Sequence, residues 1–495
     1  MSFVRPRVIF RADGDARMGL GHVVRCLALA DMLQPDFETI FVIRQPGENV
    51  QSQIEQSCLQ TWLVPEGLNE TQEIAWLRQQ LTPTDIVVLD GYHFSPRYAQ
   101  TLWLQGQPVV CLDDLVNHYI WADLIINQAG GIQPEAYRHV PGAQLCLGPA
   151  YALLRRPFQE ATRTAVTQPD TQRIFLNMGG ADPENHTLAL LQQMQLLFPA
   201  KAVDVVTGAA YPHQASLQQY AQNQDQVRLH HALPAEQMAA LLQSCGIHVC
   251  PPSGMAYECC AVGGLLFLHP IADNQRQLLN FLTETGLAFP YSTLAQLPEP
   301  ELAALALAGR QRQRQVFDGQ AAYRFQRAFS ELYAASQLGV RRARTEDAQQ
   351  YFTWANDPEV RRNAIHSAPI EWPTHLQWFT RRLTDPDSFL YIFEREGTAV
   401  GQVRIEFSDS VGTIDYSVAT AYRGRGLGVA LLRRALGQLR RDKPGQWALE
   451  GQVKASNLPS CRVFQRLGFA QLAAVQLHND TYEVFRLAVA SADFS

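Results

Sequence analysis

No C-x-x-C pair and no His/Cys cluster at zinc-ligand spacing occurs among the nine cysteines of this 495-residue chain. An odd cysteine count without such spacing excludes a sequence-readable disulfide framework or structural metal site, and points to reduced thiols in a cytoplasm. Long apolar runs are missing as well: the longest uncharged one, Cys259 to Leu268, is about half the ~20 residues a membrane-spanning helix needs. The opening MSFVRPRVIFRADGD turns polar after a few apolar positions, so no signal peptide is visible. Positive charge is not in excess, with 41 Lys and Arg against 47 Asp and Glu, a net charge of −6. That balance disfavours nucleic acid or an anionic membrane as the main partner, leaving local basic pockets for phosphate. What is present is 46% hydrophobic and 18% charged, an ordinary folded composition. At ~150 residues per domain the length suggests about three domains.

The first region alternates short apolar runs with helical patterns. Strands are expected at Arg7–Phe10, Thr39–Ile43, Asp85–Leu89, Pro108–Leu112 and Leu124–Asn127, with helices such as Val23–Leu33 and Glu70–Leu81 between them. After a polar, linker-like stretch at Glu160–Gln172 the pattern restarts, with strands at Ile174–Met178, Ala202–Thr207, Val227–His230, Ile247–Cys250 and Leu265–His269. Strand-helix repetition implies two parallel-sheet α/β domains, each with a ligand-binding carboxyl edge. The run Glu299–Ser336 reads as a solvated closing helix pair. From Val340 onward the texture is α+β, with antiparallel strands at Phe389–Glu394, Val400–Phe407 and Gly412–Ser417. The expected domains are 1–158, 172–336 and 338–490.

Motifs sit at the strand ends. Arg11-Ala-Asp13 leads into Gly19-Leu-Gly21-His22-Val-Val-Arg25, which follows a strand and opens a helix. A helix start welcomes an anion, and its positive end favours a neutral imidazole at His22 that can accept a proton. A lone G-x-G with a histidine also serves as a plain turn and cap. Asp90-Gly91-Tyr92-His93 and Asp113-Asp114 end two neighbouring strands, where ligand contacts and simple turn chemistry compete. In the second domain Asn177-Met-Gly179-Gly180, Ser253-Gly254 with Glu258 one turn on, and Asp273-Asn274-Gln275 follow three strands. Three such elements on one edge fit a nucleotide, with phosphates at helix starts and Glu258 on the ribose hydroxyls.

Val8 to about Tyr333, roughly two-thirds of the chain, resembles the UDP-2,4-diacetamido-2,4,6-trideoxy-β-L-altropyranose hydrolases of pseudaminic acid biosynthesis. These are relatives of glycosyltransferases with two Rossmann-like domains, the GT-B fold. The resemblance implies that His22 is catalytic, that Tyr92 occupies the family's tyrosine position, here in the order D-G-Y-H, and that Arg11, Asp13, Gly21 and Arg25 line the site. It places Gly179, Gly180, Ser253, Gly254, Glu258, Asn274 and Gln275 on UDP. It further implies metal-independent attack of water on the anomeric carbon, with release of UDP.

The last third carries Arg423-Gly424-Arg425-Gly426-Leu-Gly428 at a strand-to-helix turn, and about thirty residues on Asn457-Leu-Pro-Ser460 with Phe464 and Gly468-Phe469. Successive N–H groups of R-x-x-G-x-G can wrap a pyrophosphate. Together the motifs resemble GNAT N-acetyltransferases over about Val340 to Val489. That implies acetyl-CoA held by Arg423, Gly424, Arg425, Gly426, Gly428, Asn457 and Ser460. Trp354, Asn356, Asp357, Arg361, His375 and Trp378 resemble the subgroup acting on UDP-4-amino-sugars, although tryptophans at such positions are commonly core. Phe464 stands where many members of that superfamily carry the tyrosine that protonates the leaving thiolate, and Glu450 is a candidate base. The implied function is two neighbouring steps: N-acetylation of the 4-amino group of UDP-4-amino-4,6-dideoxy-β-L-AltNAc, and hydrolysis of the product to free sugar and UDP. The alternatives are an isomeric sugar of another nonulosonic acid pathway, a GT-B glycosyltransferase with a tethered acetyltransferase, and a sugar-nucleotide sensor or scaffold.

Overall fold

The computed structural model describes residues 5–14, 20–163, 169–424, 426–477 and 480–489, with the backbone only at Asn274. The first sheet is built from β1 (Arg7–Ala12), β2 (Glu38–Ile43), β3 (Gln60–Leu63), β4 (Ile86–Asp90), β5 (Val109–Leu112), β6 (Leu124–Asn127) and β7 (Gln144–Leu147). All pairings are parallel, in the order β3-β2-β1-β4-β5-β6-β7. Central strands of a parallel sheet are covered on both faces, which is why β4 and β6 are fully buried Val/Ile/Leu runs. Helix α1 (Gly21–Leu33) packs Val23, Cys26, Leu27, Ala30 and Leu33 against one face.

The second sheet repeats this plan with β8 (Arg173–Leu176), β9 (Ala202–Thr207), β10 (Val227–His231), β11 (Ile247–Cys250), β12 (Leu265–Leu268) and β13 (Phe289–Pro290). It too is parallel, ordered β10-β9-β8-β11-β12-β13, with α2 (His186–Leu197) after β8 and α3 (Gly254–Val262) after β11. Both are Rossmann-like regions whose ligand edge is the carboxyl end of the strands. The two edges meet: Tyr257 on α3 donates to the Gln128 carbonyl at 2.9 Å and accepts from the Gly130 N–H at 3.2 Å, just beyond β6.

Helix α4 (Ala321–Ser336) overturns the expected solvated pair. Phe325, Ala328, Phe329 and Leu332 recur at helical spacing and are buried in the core of the first sheet, beside α1. The chain therefore returns to the first domain before the third begins.

The third unit is an eight-stranded sheet: β14 (Gly339–Arg342), β15 (Ser388–Arg395), β16 (Thr398–Ser408), β17 (Val411–Val418), β18 (Trp447–Lys454), β19 (Ala470–Gln471), β20 (Val475–Leu477) and β21 (Asp480–Val489). Its order is β14-β15-β16-β17-β18-β21-β19, with β20 on β21. β17 and β18 pair in parallel, inside otherwise antiparallel surroundings. Helices α5 (Ala348–Ala355) and α6 (Trp372–Thr384) cover one face, α7 (Leu427–Asp442) and α8 (Leu458–Arg466) the other. No helix among the described residues is long and apolar enough to cross a membrane.

Candidate functional sites

At the carboxyl edge of the first sheet, β4 ends on Asp90, whose side chain is sealed from solvent. His22, in the first turn of α1, places Nδ1 2.7 Å from Asp90 Oδ1. Arg25, one turn further, donates to both Asp90 oxygens and through Nη1 to Asp114 at 2.9 Å. Arg25 Nη2 is also 3.0 Å from His22 Nδ1, but it donates to Asp90, and the nearer carboxylate takes the imidazole proton. With the ring proton on Nδ1, facing Asp90, Nε2 is the nitrogen placed to accept. Burial alone would raise the Asp90 carboxyl, but the Arg25 and His22 hydrogen bonds outweigh it and hold the group below the usual carboxylate range. Tyr92 meets the His22 ring edge-on at 4.6 Å and donates to Asp114 at 2.8 Å. Burial and the adjacent Asp114 carboxylate push its phenol up to about 12.

Motif reading placed Asp90 at a strand end facing the cleft but did not assign it as the partner of His22. Its signal was available, since it is the last polar residue of a strand adjacent to the one that feeds α1. Arg11 departs from the expected ligand contact. It is wholly buried and its guanidinium is used up on Asp13 at 2.6 and 2.8 Å and on Glu73 at 2.7 Å. Asp13 in turn accepts from the Arg44 N–H and pairs with His93, so the two residues brace the edge from behind. Asp113 caps the turn after β5 through the Leu115 and Val116 N–H groups. Gly21 opens α1, and among the described residues nothing lies within 4 Å of a Cβ built on it.

On the second sheet the geometry redistributes the expected phosphate sites. Asp182 occupies the start of α2, accepting from the His186 and Thr187 N–H groups at 2.9 and 2.7 Å, so that helix end is already satisfied. Gly179 and the exposed Gly180 lie in the loop before it, Gly179 donating to Asn177 at 3.0 Å. The helix start with open space is that of α3: among the described residues nothing lies within 4 Å of a Cβ built on Gly254, and Ser253 accepts from the Met255 N–H at 3.3 Å. Glu258, on α3, is held by Arg155 through both oxygens at 2.7 and 2.8 Å. Arg155 was not foreseen, since it lies in the connection between the two sheets. Gln275 closes its own turn by accepting from the Ile271 N–H at 2.9 Å, and the Asn274 side chain lies outside the described residues.

In the third unit β17 and β18 are paired only over Val411–Ala448, Gly412–Leu449 and Thr413–Glu450, although both strands continue to Val418 and Lys454. Beyond that point they fork, and α7 and α8 begin at the fork. Gly424 and Gly426 have φ of +74° and +76° with no neighbour within 4 Å of a built Cβ, a left-handed, open loop that needs glycine. Gly428 is closely faced by Tyr416 and Val463. Asn457 caps α8 by accepting from the Ser460 N–H at 3.3 Å, and Ser460 Oγ is 3.0 Å from the Tyr416 hydroxyl. Burial pushes that phenol up to about 12. Arg423 departs from a free pyrophosphate ligand, because its guanidinium ties the loop to the Val418 carbonyl, Asp357 and Glu359. Arg425 lies outside the described residues. Glu450, the last paired residue before the fork, is bound to Arg486 at 2.8 Å. Phe464 is core, stacked on Phe485 at 5.4 Å and seated where a side chain on Gly451 would stand. His375 is core too, its Nε2 3.0 Å from the Ala348 carbonyl among the α5 and α6 aromatics.

Residues 337–470 match the family described as Acetyltransferase (GNAT) domain. A UDP-2,4-diacetamido-2,4,6-trideoxy-β-L-altropyranose hydrolase of Campylobacter jejuni is 23% identical over 290 residues, 58% of this chain and 99% of its own length. The spore coat polysaccharide biosynthesis protein SpsG of Bacillus subtilis is 22% identical over 297 residues, 59% of this chain and 85% of its own. An uncharacterized protein of Methanocaldococcus jannaschii is 20% identical over 507 aligned positions, covering 97% of this chain and 99% of its own. Among solved structures, a Vibrio cholerae spermidine N-acetyltransferase in complex with CoA and spermine is 13% identical, over 31% of this chain and 96% of that one, at a TM-score of 0.28.

Proposed function

We propose that this chain, a GNAT acetyltransferase domain behind a region homologous to the altropyranose hydrolase and to the spore coat protein, is a bifunctional nucleotide-sugar enzyme of pseudaminic acid biosynthesis. Its third domain acetylates the 4-amino group of UDP-4-amino-4,6-dideoxy-β-L-AltNAc. Its first two, arranged as in GT-B enzymes, hydrolyse the resulting UDP-diacetamido sugar. The observation that carries the reading is the His22–Asp90 pair, a histidine with an oriented proton acceptor at the edge that faces the second sheet.

In the hydrolytic step His22 Nε2 takes a proton from water as its oxygen bonds to the anomeric carbon. The bond from that carbon to the diphosphate oxygen breaks, and UDP leaves with the electron pair. Asp90 stays ionised and stabilises the imidazolium, while Arg25 fixes Asp90. UDP is already a good leaving group, so no glycosidase-type acid is needed. Its phosphates lie over the exposed start of α3, and Glu258, oriented by Arg155, offers its remaining lone pairs to the ribose hydroxyls.

At the fork, the Gly424–Gly428 turn and the start of α8 are where acetyl-CoA would be held, a reading supported by the space about Gly424 and Gly426 among the described residues. When bound, acetyl-CoA supplies the acetyl group for the sugar amine. Tyr416 keeps its proton at neutral pH and holds it beside Ser460, where the absent hydroxyl of Phe464 is replaced from the neighbouring strand. Glu450, oriented by Arg486, is the carboxylate placed to receive the amine proton.

The test is to separate the halves. His22→Ala should lower UDP release by about 10²–10⁴-fold while acetyl transfer is unchanged, the range expected for losing a general base. Equal loss of both activities, or no loss of UDP release, would overturn the assignment.

A further inference from the structure

The third domain is not tethered loosely. Its helix α7 lies along α4 and the first sheet: Leu436 fills the space that a side chain on Gly142 would need, and Arg441 donates to the Trp103 carbonyl at 3.2 Å. Between these surfaces lies a small, partly open cavity of about 30 Å³, lined among others by Trp103, Gln107, Asp123, Arg433, Arg434 and Arg441.

The guanidiniums around it are short of hydrogen-bond partners. Arg433, Arg434 and Arg441 come from α7, and each has its Nε buried without a hydrogen-bond partner. Arg433 is only 5% exposed, and its one side-chain hydrogen bond among the described residues is to the neutral Gln144, at 3.2 Å. Arg441 is spent on the Trp103 carbonyl and Gln438, and Arg434 makes no hydrogen bond among the described residues. None of the three forms an ion pair there. The carboxylate that lines the cavity, Asp123, already accepts from Trp103 Nε1 at 3.2 Å and the Val109 N–H at 3.0 Å. Three guanidiniums thus share Asp123 as the one carboxylate lining the cavity, while Glu331 near Arg433 and Asp442 near Arg441 are engaged by other side chains, so an anion in this partly dehydrated seam would complete the hydrogen bonds the arginines lack.

We propose that this seam is a binding site for a phosphate-class oxyanion, either inorganic phosphate or the terminal phosphate of a nucleotide, which clamps the third domain to the first. Planar guanidiniums with free Nε–H groups suit a tetrahedral oxyanion and its several acceptors. Nothing in this site belongs to either active centre, so the inference stands apart from the activities proposed above.

The experiment titrates the full-length protein with inorganic phosphate at constant ionic strength, by calorimetry, with chloride as the control anion. Arg434→Gln and Arg441→Gln are tested separately, each checked for folding by circular dichroism. Saturable phosphate binding that chloride does not mimic, weakened about tenfold or more by each substitution, is the expected result, the scale of one lost charge-assisted hydrogen bond. Competition by UDP would identify a nucleotide phosphate as the occupant, and its failure to compete the free ion. Absence of saturable binding, or binding unchanged in both variants, would overturn the proposal.

Discussion

Side-chain partners decide what each polar residue at the first edge can do. His22 and Arg11 lie eleven positions apart, both beside glycine-rich turns, yet among the described residues one has a ring nitrogen without a partner and the other is walled in by Asp13 and Glu73. Asp90→Asn leaves the shape intact but can no longer hold the imidazole proton as a charge, so UDP release should fall about 10²-fold or more, with acetyl transfer untouched. Steady-state rates of the two half-reactions check this. Asp13 and Asp90 also predict a pH dependence of stability. Both carboxyls are opposed by burial yet held below their ordinary value by hydrogen bonds, Asp13 from His93 and Arg11, Asp90 from Arg25 and His22. A depressed folded value means the contribution is fully present above about pH 4, the unfolded value, and is lost as pH falls through the folded one. Denaturant midpoints should therefore drop below pH 4, and less steeply in Asp90→Asn. Tyr416→Phe should reduce acetyl transfer by about 10²-fold with little change in the KM for acetyl-CoA, because in the proposed reaction its hydroxyl gives a proton to the departing sulfur. A larger KM at constant kcat would assign Tyr416 to binding alone.

Among the secondary-structure elements, strands buried on both faces were readable within a residue or two, as Ala202–Thr207 and Ile247–Cys250 illustrate. β3 and β7 were not, because they lie at the sheet edge with half-exposed side chains and carry no continuous apolar run. Phe325, Phe329 and Leu332 form a clear stripe along α4, but periodicity states that a face is buried and not which domain buries it. Helix starts followed the same logic: the G-G loop before α2 reads like a phosphate cradle, while Asp182, a few residues on, claims those N–H groups for itself. The roles of Asp90, Arg155 and Tyr416 were hidden for a related reason, since each residue acquires its role from a partner on another element. The packing of Phe464 into the gap left by Gly451 makes a further prediction. Gly451→Ala should destabilise the third domain by about 1–3 kcal/mol through overpacking, seen as an early unfolding transition.

Taken whole, the molecule has one element that belongs to two domains. α4 is buried in the first sheet's core and also packs on α7, so it transmits the position of one domain to the other. Phe329→Ala should cost about 3–5 kcal/mol and loosen the junction as well as the first domain. In the proposed bifunctional enzyme, two active centres on one chain would raise the local concentration of the intermediate of the first at the second. The central claim is that the two centres act in sequence on one sugar nucleotide. The most direct measurement supplies the purified chain with UDP-4-amino-4,6-dideoxy-β-L-AltNAc, with and without acetyl-CoA, and follows free thiol and free UDP separately. The account predicts thiol first, then UDP, with UDP release requiring both acetyl-CoA and His22. UDP release that ignores acetyl-CoA, or thiol release never followed by UDP, would contradict it.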